Sequence, residues 1–179
     1  MYKLIALDRD GVINQDSPSY IKSPEEWQAM PGSIVAIAKL CAHGYQVVVV
    51  TNQSGVARGI FSLDTLNNIH QKMLTQITAA SGHIEQIFIC PHLDQDNCSC
   101  RKPKPGLLLQ ALEQFSLNPE EMLIIGDSTR DLLAAKACGS PAIFIKSDRK
   151  THDLIVARNA GVPIYDNLLA AVDSICNKI

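Results

Sequence analysis

The sequence predicts an α/β fold: a three-layer, Rossmann-like parallel sheet with helices on both faces. Three observations carry this. Short apolar runs of strand length alternate with longer segments of helical periodicity. The runs are apolar throughout rather than alternating, as strands covered on both faces are. Polar residues also recur directly after the runs, where strands of an open sheet deliver groups to one edge.

The first run, residues 4–7, leads into Asp8-Arg9-Asp10-Gly11-Val12, two aspartates one residue apart and then a turning glycine. A carboxylate inside a sheet loses its hydration. At the carboxyl end of a central strand it opens instead into the ligand crevice. Asp and Gly are also ordinary turn residues, so the motif needs the rest of the chain. An irregular polar stretch, 14–31, holds Tyr20 and the sole tryptophan, Trp27. Residues 33–43 place Ile34, Ile37, Ala38 and Cys41 at helical spacing, with Ser33 as N-cap and Gly44 as left-handed terminator. The β-branched run 46–50 is the second strand and ends in Thr51-Asn52-Gln53-Ser54-Gly55.

Ser62 caps a long helix carrying Leu66, Ile69, Met73 and Ile77 on one face, closed by Gly82. Residues 86–89 form the third strand, and a cysteine-rich loop follows at once. Leu107, Leu108, Ala111, Leu112 and Phe115 mark the next helix. Residues 122–125 are the fourth strand, delivering Gly126-Asp127-Ser128-Thr129-Arg130-Asp131. A helix with Leu132, Leu133 and Ala135 ends at Gly139; 142–145 is the fifth strand; 154–160 and 168–175 supply the closing helices. No repeat, linker or insertion of domain size interrupts the series. One domain over residues 1–179, without a large cap domain, is expected.

With 179 residues, 46% hydrophobic and 19% charged, the chain can fill a core without disulfides. A net charge of −2 offers no basic footprint, so no nucleic-acid partner is expected. No apolar stretch approaches membrane-spanning length, so no membrane partner is expected. The chain runs into its first strand without a signal peptide, which predicts cytoplasmic localisation, and a monomer is expected. Six cysteines in a reducing compartment do not read as disulfides. Cys41, Cys138 and Cys176 fall singly in helical patterns and read as core.

Asp8, Asp10, Thr51, Arg101, Lys102, Asp127 and Asp131 therefore follow apolar strands and converge on one sheet edge. The inventory matches phosphoryl transfer to water. One carboxylate attacks phosphorus, a second acid protonates the leaving oxygen, and a hydroxyl and an ammonium hold the phosphoryl oxygens. A divalent cation, Mg²⁺ by its preference for oxygen ligands, offsets repulsion between carboxylate and phosphate. A second group, Cys90, His92, Cys98 and Cys100, is the ligand set of a closed tetrahedral zinc site. Such a zinc would pin the loop that carries Arg101-Lys102-Pro103. A disulfide or a metal-free thiol cluster is the alternative.

Along nearly its whole length the sequence resembles the haloacid dehalogenase superfamily of phosphohydrolases. Asp8-Arg9-Asp10-Gly11-Val12 matches the first motif of that family, Thr51 the second, Lys102 the third and Gly126-Asp127 with Asp131 the fourth. The resemblance implies Asp8 as nucleophile, forming an aspartyl phosphate, and Asp10 as acid and then base. It implies Thr51 and Lys102 holding the phosphoryl group, Mg²⁺ on Asp8, the Asp10 carbonyl and Asp127, and Asp131 in support. The run Thr51 to Gly59, the C-x-H and C-x-C pairs and Arg101-Lys102-Pro103 narrow the resemblance to zinc-loop heptose-bisphosphate phosphatases. Histidinol-phosphate phosphatases are the competitor. A sugar phosphate is the implied substrate, with Asp16, Tyr20, Asn52, Gln53, Ser54, Arg58 and Arg101 as its contacts. Ser17-Pro18-Ser19 departs from the pattern of that family. Two further alternatives are a receiver domain, which has no use for the cysteine loop, and a binding module without turnover, which has no use for both Asp8 and Asp10.

Overall fold

The structure, a computed structural model, describes residues 2–147 and 150–177. The expected domain 1–179 thus includes a few residues outside the described ones. Strands β1 (Leu4–Leu7), β2 (Gln46–Asn52), β3 (Gln86–Cys90), β4 (Met122–Gly126), β5 (Ala142–Ile145) and β6 (Ile164–Tyr165) form one sheet in the order β3-β2-β1-β4-β5-β6. Every pairing is parallel; Leu4 to Leu7 lie opposite Gln46 to Val49 on one side and Met122 to Ile125 on the other. The helices between them are α1 (Ser33–Ala42), α2 (Leu63–Ala79), α3 (Gly106–Phe115), α4 (Thr129–Cys138), α5 (Thr151–Asn159) and α6 (Leu168–Cys176).

Each strand sends alternate residues to two cores, which is why the runs carry no polar positions. Ile5, Leu7, Val47, Val49, Leu123 and Ile125 meet residues of α1, α2 and α6. Leu4, Ala6, Val48, Val50, Met122 and Ile124 meet residues of α3 and α4. The three-layer expectation therefore holds. β1 lies between β2 and β4, where the strand order reverses, and its carboxyl end opens at the switch point of the sheet.

Four local expectations need correction. A sixth strand exists: two residues of β6 pair with Phe144 and Ile145, too few to leave a periodic signal. Ser33 does not cap α1. Gly32, at φ +78°, holds the cap position, and Ser33 Oγ donates instead to the Ile13 carbonyl at 2.7 Å. After α2 the left-handed residue is Ser81, not Gly82. α5 begins at Thr151 rather than at 154. Of the three cysteines assigned to the core, Cys138 and Cys176 are buried, whereas Cys41 is half-buried.

The irregular segment 14–31 is anchored rather than loose. Trp27 is fully buried in the core beneath it. Lys72 Nζ donates to the carbonyls of Pro24 and Trp27 at 2.6 and 3.0 Å. Trp27→Ala should cost about 3–5 kcal/mol of stability, the range for a large side chain removed from a packed core. Urea unfolding followed by circular dichroism would measure it.

Candidate active site

The carboxyl ends of β1, β2 and β4, with the loop after β3, enclose a polar cavity of about 380 Å³. Asp8 is at its floor. Oδ1 accepts from the backbone amide of Arg9 at 2.8 Å and lies 2.9 Å from Lys102 Nζ. Lys102 Nζ also donates to Asp131 Oδ1 at 2.6 Å and to the Val50 carbonyl at 2.8 Å. The Lys102 backbone is clamped by one side chain: Asn52 Oδ1 accepts from its amide at 3.1 Å and Asn52 Nδ2 donates to its carbonyl at 3.0 Å. Asp131 Oδ2 in turn accepts from Ser128 N and Oγ, closing the first turn of α4 as a capping box.

Asp8 and Asp10 share a motif but not an environment. Burial first, and then Asp131, push the Asp8 carboxyl up to about 6. Burial acts on Asp10 as well, but the Arg9 guanidinium and the donors of Asn14 and Gln53 outweigh it and hold that carboxyl below its usual range. Arg9 Nη2 donates to both Asp10 oxygens at 2.9 and 3.0 Å, and Nε donates to Oδ1 at 3.2 Å. Asn14 Nδ2 reaches Oδ1 at 2.9 Å; Gln53 Nε2 reaches both Oδ2 and Thr51 Oγ1 at 2.9 Å.

Asp8, Asp127 and Asp131 each offer an oxygen within 4.8 Å of the others. Asp127 is fully buried, and its Oδ1 has no hydrogen-bond partner among the described residues. Burial and then Asp8 push its carboxyl up to about 7. Two oxygen donors so placed, repelling one another, fit a hard divalent cation. Lys150 Nζ donates to Asp127 Oδ2 at 2.6 Å and lies 3.4 Å from Asp16. Gly11 makes room for this carboxylate: at φ +88°, a Cβ there would fall 1.9 Å from Asp127 Oδ2.

In the loop after β3, the Cys100 sulfur lies 3.2 Å from that of Cys90, 3.5 Å from that of Cys98 and 3.3 Å from His92 Nδ1. Cys90 Sγ is 3.7 Å from both Cys98 Sγ and His92 Nδ1. A tetrahedral zinc with bonds of about 2.3 Å to sulfur sets its ligands about 3.8 Å apart. Burial, and then the Cys90 and Cys98 sulfurs, push the Cys100 thiol up to about 12. A cation is what would let all three ionise together. Just beyond, Arg101 Nε donates to Asp94 Oδ1 at 2.5 Å and Nη1 to the His92 carbonyl at 3.2 Å.

The structure thus gathers Asp8, Asp10, Asp16, Tyr20, Thr51, Asn52, Gln53, Ser54, Arg58, Arg101 and Lys102 around one cavity. Asn52 and Gln53, expected as substrate contacts, spend their amides on Lys102 and on Asp10 with Thr51. The sequence reading did not single out Arg9, His70, Asp94, Arg130 or Lys150. Arg130, an unassigned position inside the Gly126 to Asp131 run, and Lys150, outside every motif, line the same cavity. Arg9 is buried, with Nη1 3.2 Å from His70 Nε2. His70 left one signal: with Leu66, Met73 and Ile77 it falls on the buried stripe of α2.

Comparisons with known proteins show the family and the fold. A family model described as haloacid dehalogenase-like hydrolase matches residues 15–139. A protein of Bordetella bronchiseptica named D-glycero-beta-D-manno-heptose-1,7-bisphosphate 7-phosphatase is 49% identical over 151 residues, covering 83% of this chain and 84% of its own. One of the same name from Pseudomonas putida is 43% identical over 172 residues, covering 94% and 96%. The crystal structure of the B. bronchiseptica D,D-heptose 1,7-bisphosphate phosphatase, complexed with magnesium and phosphate, superposes with a TM-score of 0.92 at 41% identity over 99% of each chain.

Burial, and then Arg9, lower the His70 pKa from 6.5 to about 3. A depressed base contributes its full stability above its unfolded pKa and loses it as pH falls, because the unfolded chain takes up the proton first. Relative to His70→Gln, which does not titrate, the protein should lose about 2 kcal/mol between pH 7.5 and pH 5. Urea midpoints at the two pH values would show it. A gap independent of pH would mean that folded His70 accepts a proton.

Proposed function

Because the chain belongs to the haloacid dehalogenase-like hydrolases, we propose that it removes the 7-phosphate of D-glycero-D-manno-heptose 1,7-bisphosphate. The observation that carries the chemistry is Asp8 Oδ1, 2.9 Å from buried Lys102 at the floor of a polar cavity, with Asp10 held beside it. The names of the relatives at 40–49% identity support the substrate. With these names, the notion of a binding module without turnover loses its ground, since Asp8 and Asp10 are both in place.

Asp8 attacks phosphorus in line with the leaving oxygen, and the bond to that oxygen breaks as an aspartyl phosphate forms. Asp10, ionised at rest beside Arg9, takes up a proton as the substrate binds, gives it to the leaving oxygen and then takes one from the water that hydrolyses the aspartyl phosphate. Lys102 and Thr51 hold the phosphoryl oxygens where negative charge develops. Asp8, the Asp10 carbonyl and Asp127 would hold Mg²⁺, which when bound supplies positive charge between carboxylate and phosphate. Lys150, bonded to Asp127, lines the same cavity as a further cation. Cys90, His92, Cys98 and Cys100 would hold a structural zinc. Arg101, fixed from behind by Asp94 and the His92 carbonyl, faces the cavity with Arg58 and Arg130 as a seat for the phosphate that is not cleaved.

Phosphate release measured side by side on heptose 1,7-bisphosphate and histidinol phosphate tests the assignment. Preference for the heptose, with the 1-phosphate left in place, is expected; preference for histidinol phosphate would move the chain to the competing family. Loss of a charged contact is worth about 1.5–3 kcal/mol, or roughly ten- to a hundredfold in kcat/KM. Arg101→Ala should therefore impair the bisphosphate by that factor and a small monophosphate far less. Equal losses would assign Arg101 to the reacting phosphate or to its loop.

Elemental analysis should find one zinc per chain that survives removal of Mg²⁺. Cys98→Ser should lower zinc content, thermal stability and turnover together, because the loop holding Lys102 loses its clamp. Full turnover in zinc-free protein would refute the link between metal and site.

A further inference from the structure

The guanidinium of Arg9 is almost fully buried, and among the described residues its hydrogen-bond partners are Asp10 and His70. A guanidinium only donates, in a rigid plane. His70 Nε2, 3.2 Å from Arg9 Nη1, must therefore present its lone pair, which places the imidazole proton on Nδ1. His70 itself is buried on α2 among Leu66, Ile69 and Met73, so its ring is fixed by packing. One edge of the guanidinium is tied to that ring, while Nε and Nη2 grip the Asp10 carboxylate. Asn14 and Gln53 complete the grip. Gln53 also binds Thr51 Oγ1, so Asp10 Oδ2 is the oxygen linked to the residue proposed to hold the phosphoryl group.

We infer that Arg9 and His70 are positioning residues for Asp10: the ring of a helix far away in sequence sets the plane of the guanidinium, and the guanidinium sets the plane of the Asp10 carboxyl group through which the proton passes. The inference rests on Asp10 being the acid and base proposed above. Arg9 lines the cavity but its guanidinium is taken up by Asp10 and His70, and His70 lies outside the cavity lining, so neither is assigned a substrate contact. Their loss should therefore leave binding intact and harm only the steps that move a proton. Attack by Asp8 needs no proton when the leaving group is a stable anion such as p-nitrophenolate.

The test compares heptose 1,7-bisphosphate, whose leaving alkoxide needs a proton, with p-nitrophenyl phosphate, whose nitrophenolate burst does not. In His70→Leu, kcat on the bisphosphate should fall about ten- to a hundredfold with KM within about threefold, while the burst rate changes less than about threefold. His70→Gln, which restores an acceptor, should recover to within about threefold of wild type. Arg9→Lys keeps the charge and loses the fork, and should behave like His70→Leu. Unchanged kcat in His70→Leu and Arg9→Lys, a burst that falls as far as turnover, or a Gln variant no better than Leu would each overturn the inference. Should the variants not fold, long-range ¹H–¹⁵N spectra of the wild type decide: a proton on His70 Nδ1 supports the inference, and one on Nε2 defeats it. Asp10→Asn separates the two layers. If it turns over freely, the acid role itself falls; if it is inert while His70→Leu and Arg9→Lys run at full rate, only the positioning role falls.

Discussion

A buried ammonium ion holds this site together. Lys102 sits out of water, where an unpaired charge would be prohibitive, and its Nζ is met by Asp8, Asp131 and the Val50 carbonyl. Those partners stand at the end of β1, the start of α4 and the end of β2, while Lys102 itself comes from the loop after β3. Four segments distant in sequence are thus tied to one charge. The arrangement leaves little slack. Asn52 fixes the Lys102 backbone, and Gly126 must lack a side chain because a Cβ there would lie 2.3 Å from Asp131 Cβ. The cysteine cluster works on the same problem from the other end, by fixing the course of the loop just ahead of Arg101 and Lys102.

How much of this could be read from the sequence follows from what each residue must do. β1 to β5 were legible because strands covered on both faces must be apolar throughout. Asp8, Asp10, Thr51, Lys102 and Asp127 were legible because each interrupts or follows such a run. β6 was not, since two half-buried residues make no pattern. Ser33 shows the opposite failure: a serine at the start of a helix reads as a cap, but the chain enters α1 through left-handed Gly32 and turns the hydroxyl toward Ile13. Asn52 and Gln53 were placed in the cavity correctly, yet their hydrogen bonds run to protein groups, which only three dimensions reveal. His70 is the sharpest case. Its position on the buried stripe of α2 was visible, but its partner Arg9 reads in one dimension as the unspecified residue between two aspartates.

The two aspartates show how differently one motif can surround two carboxyl groups. Asp8, with Asp131 and Asp127 for neighbours, is an anion short of donors, held up to about 6. Asp10 is an anion gripped by Arg9, Asn14 and Gln53 and held down. The strand end and the turn after it explain the split. Successive strand side chains point to opposite faces, which turns Arg9 toward α2. But the chain has left β1 and turns at Arg9, whose carbonyl accepts from the Ile13 and Asn14 amides, so Asp8 meets Lys102, Asp127 and Asp131 while Asp10 is collected by the turn.

The charge balance at the cavity floor then bears on what the site can bind. When all are ionised, Asp8, Asp10, Asp127 and Asp131 bring four negative charges; Arg9, Lys102 and Lys150 bring three positive ones. The remaining negative charge would repel a phosphate dianion, at distances where water screens little. A divalent cation on Asp8 and Asp127 reverses the sign of the floor, and Arg58, Arg101 and Arg130 at the walls extend the positive field toward solvent. On this accounting the phosphate and the cation need one another. The dianion alone deepens the negative charge of the floor, whereas the cation reverses it, so binding of one should strengthen binding of the other, a coupling that follows from the placement of these charges before any bond is broken.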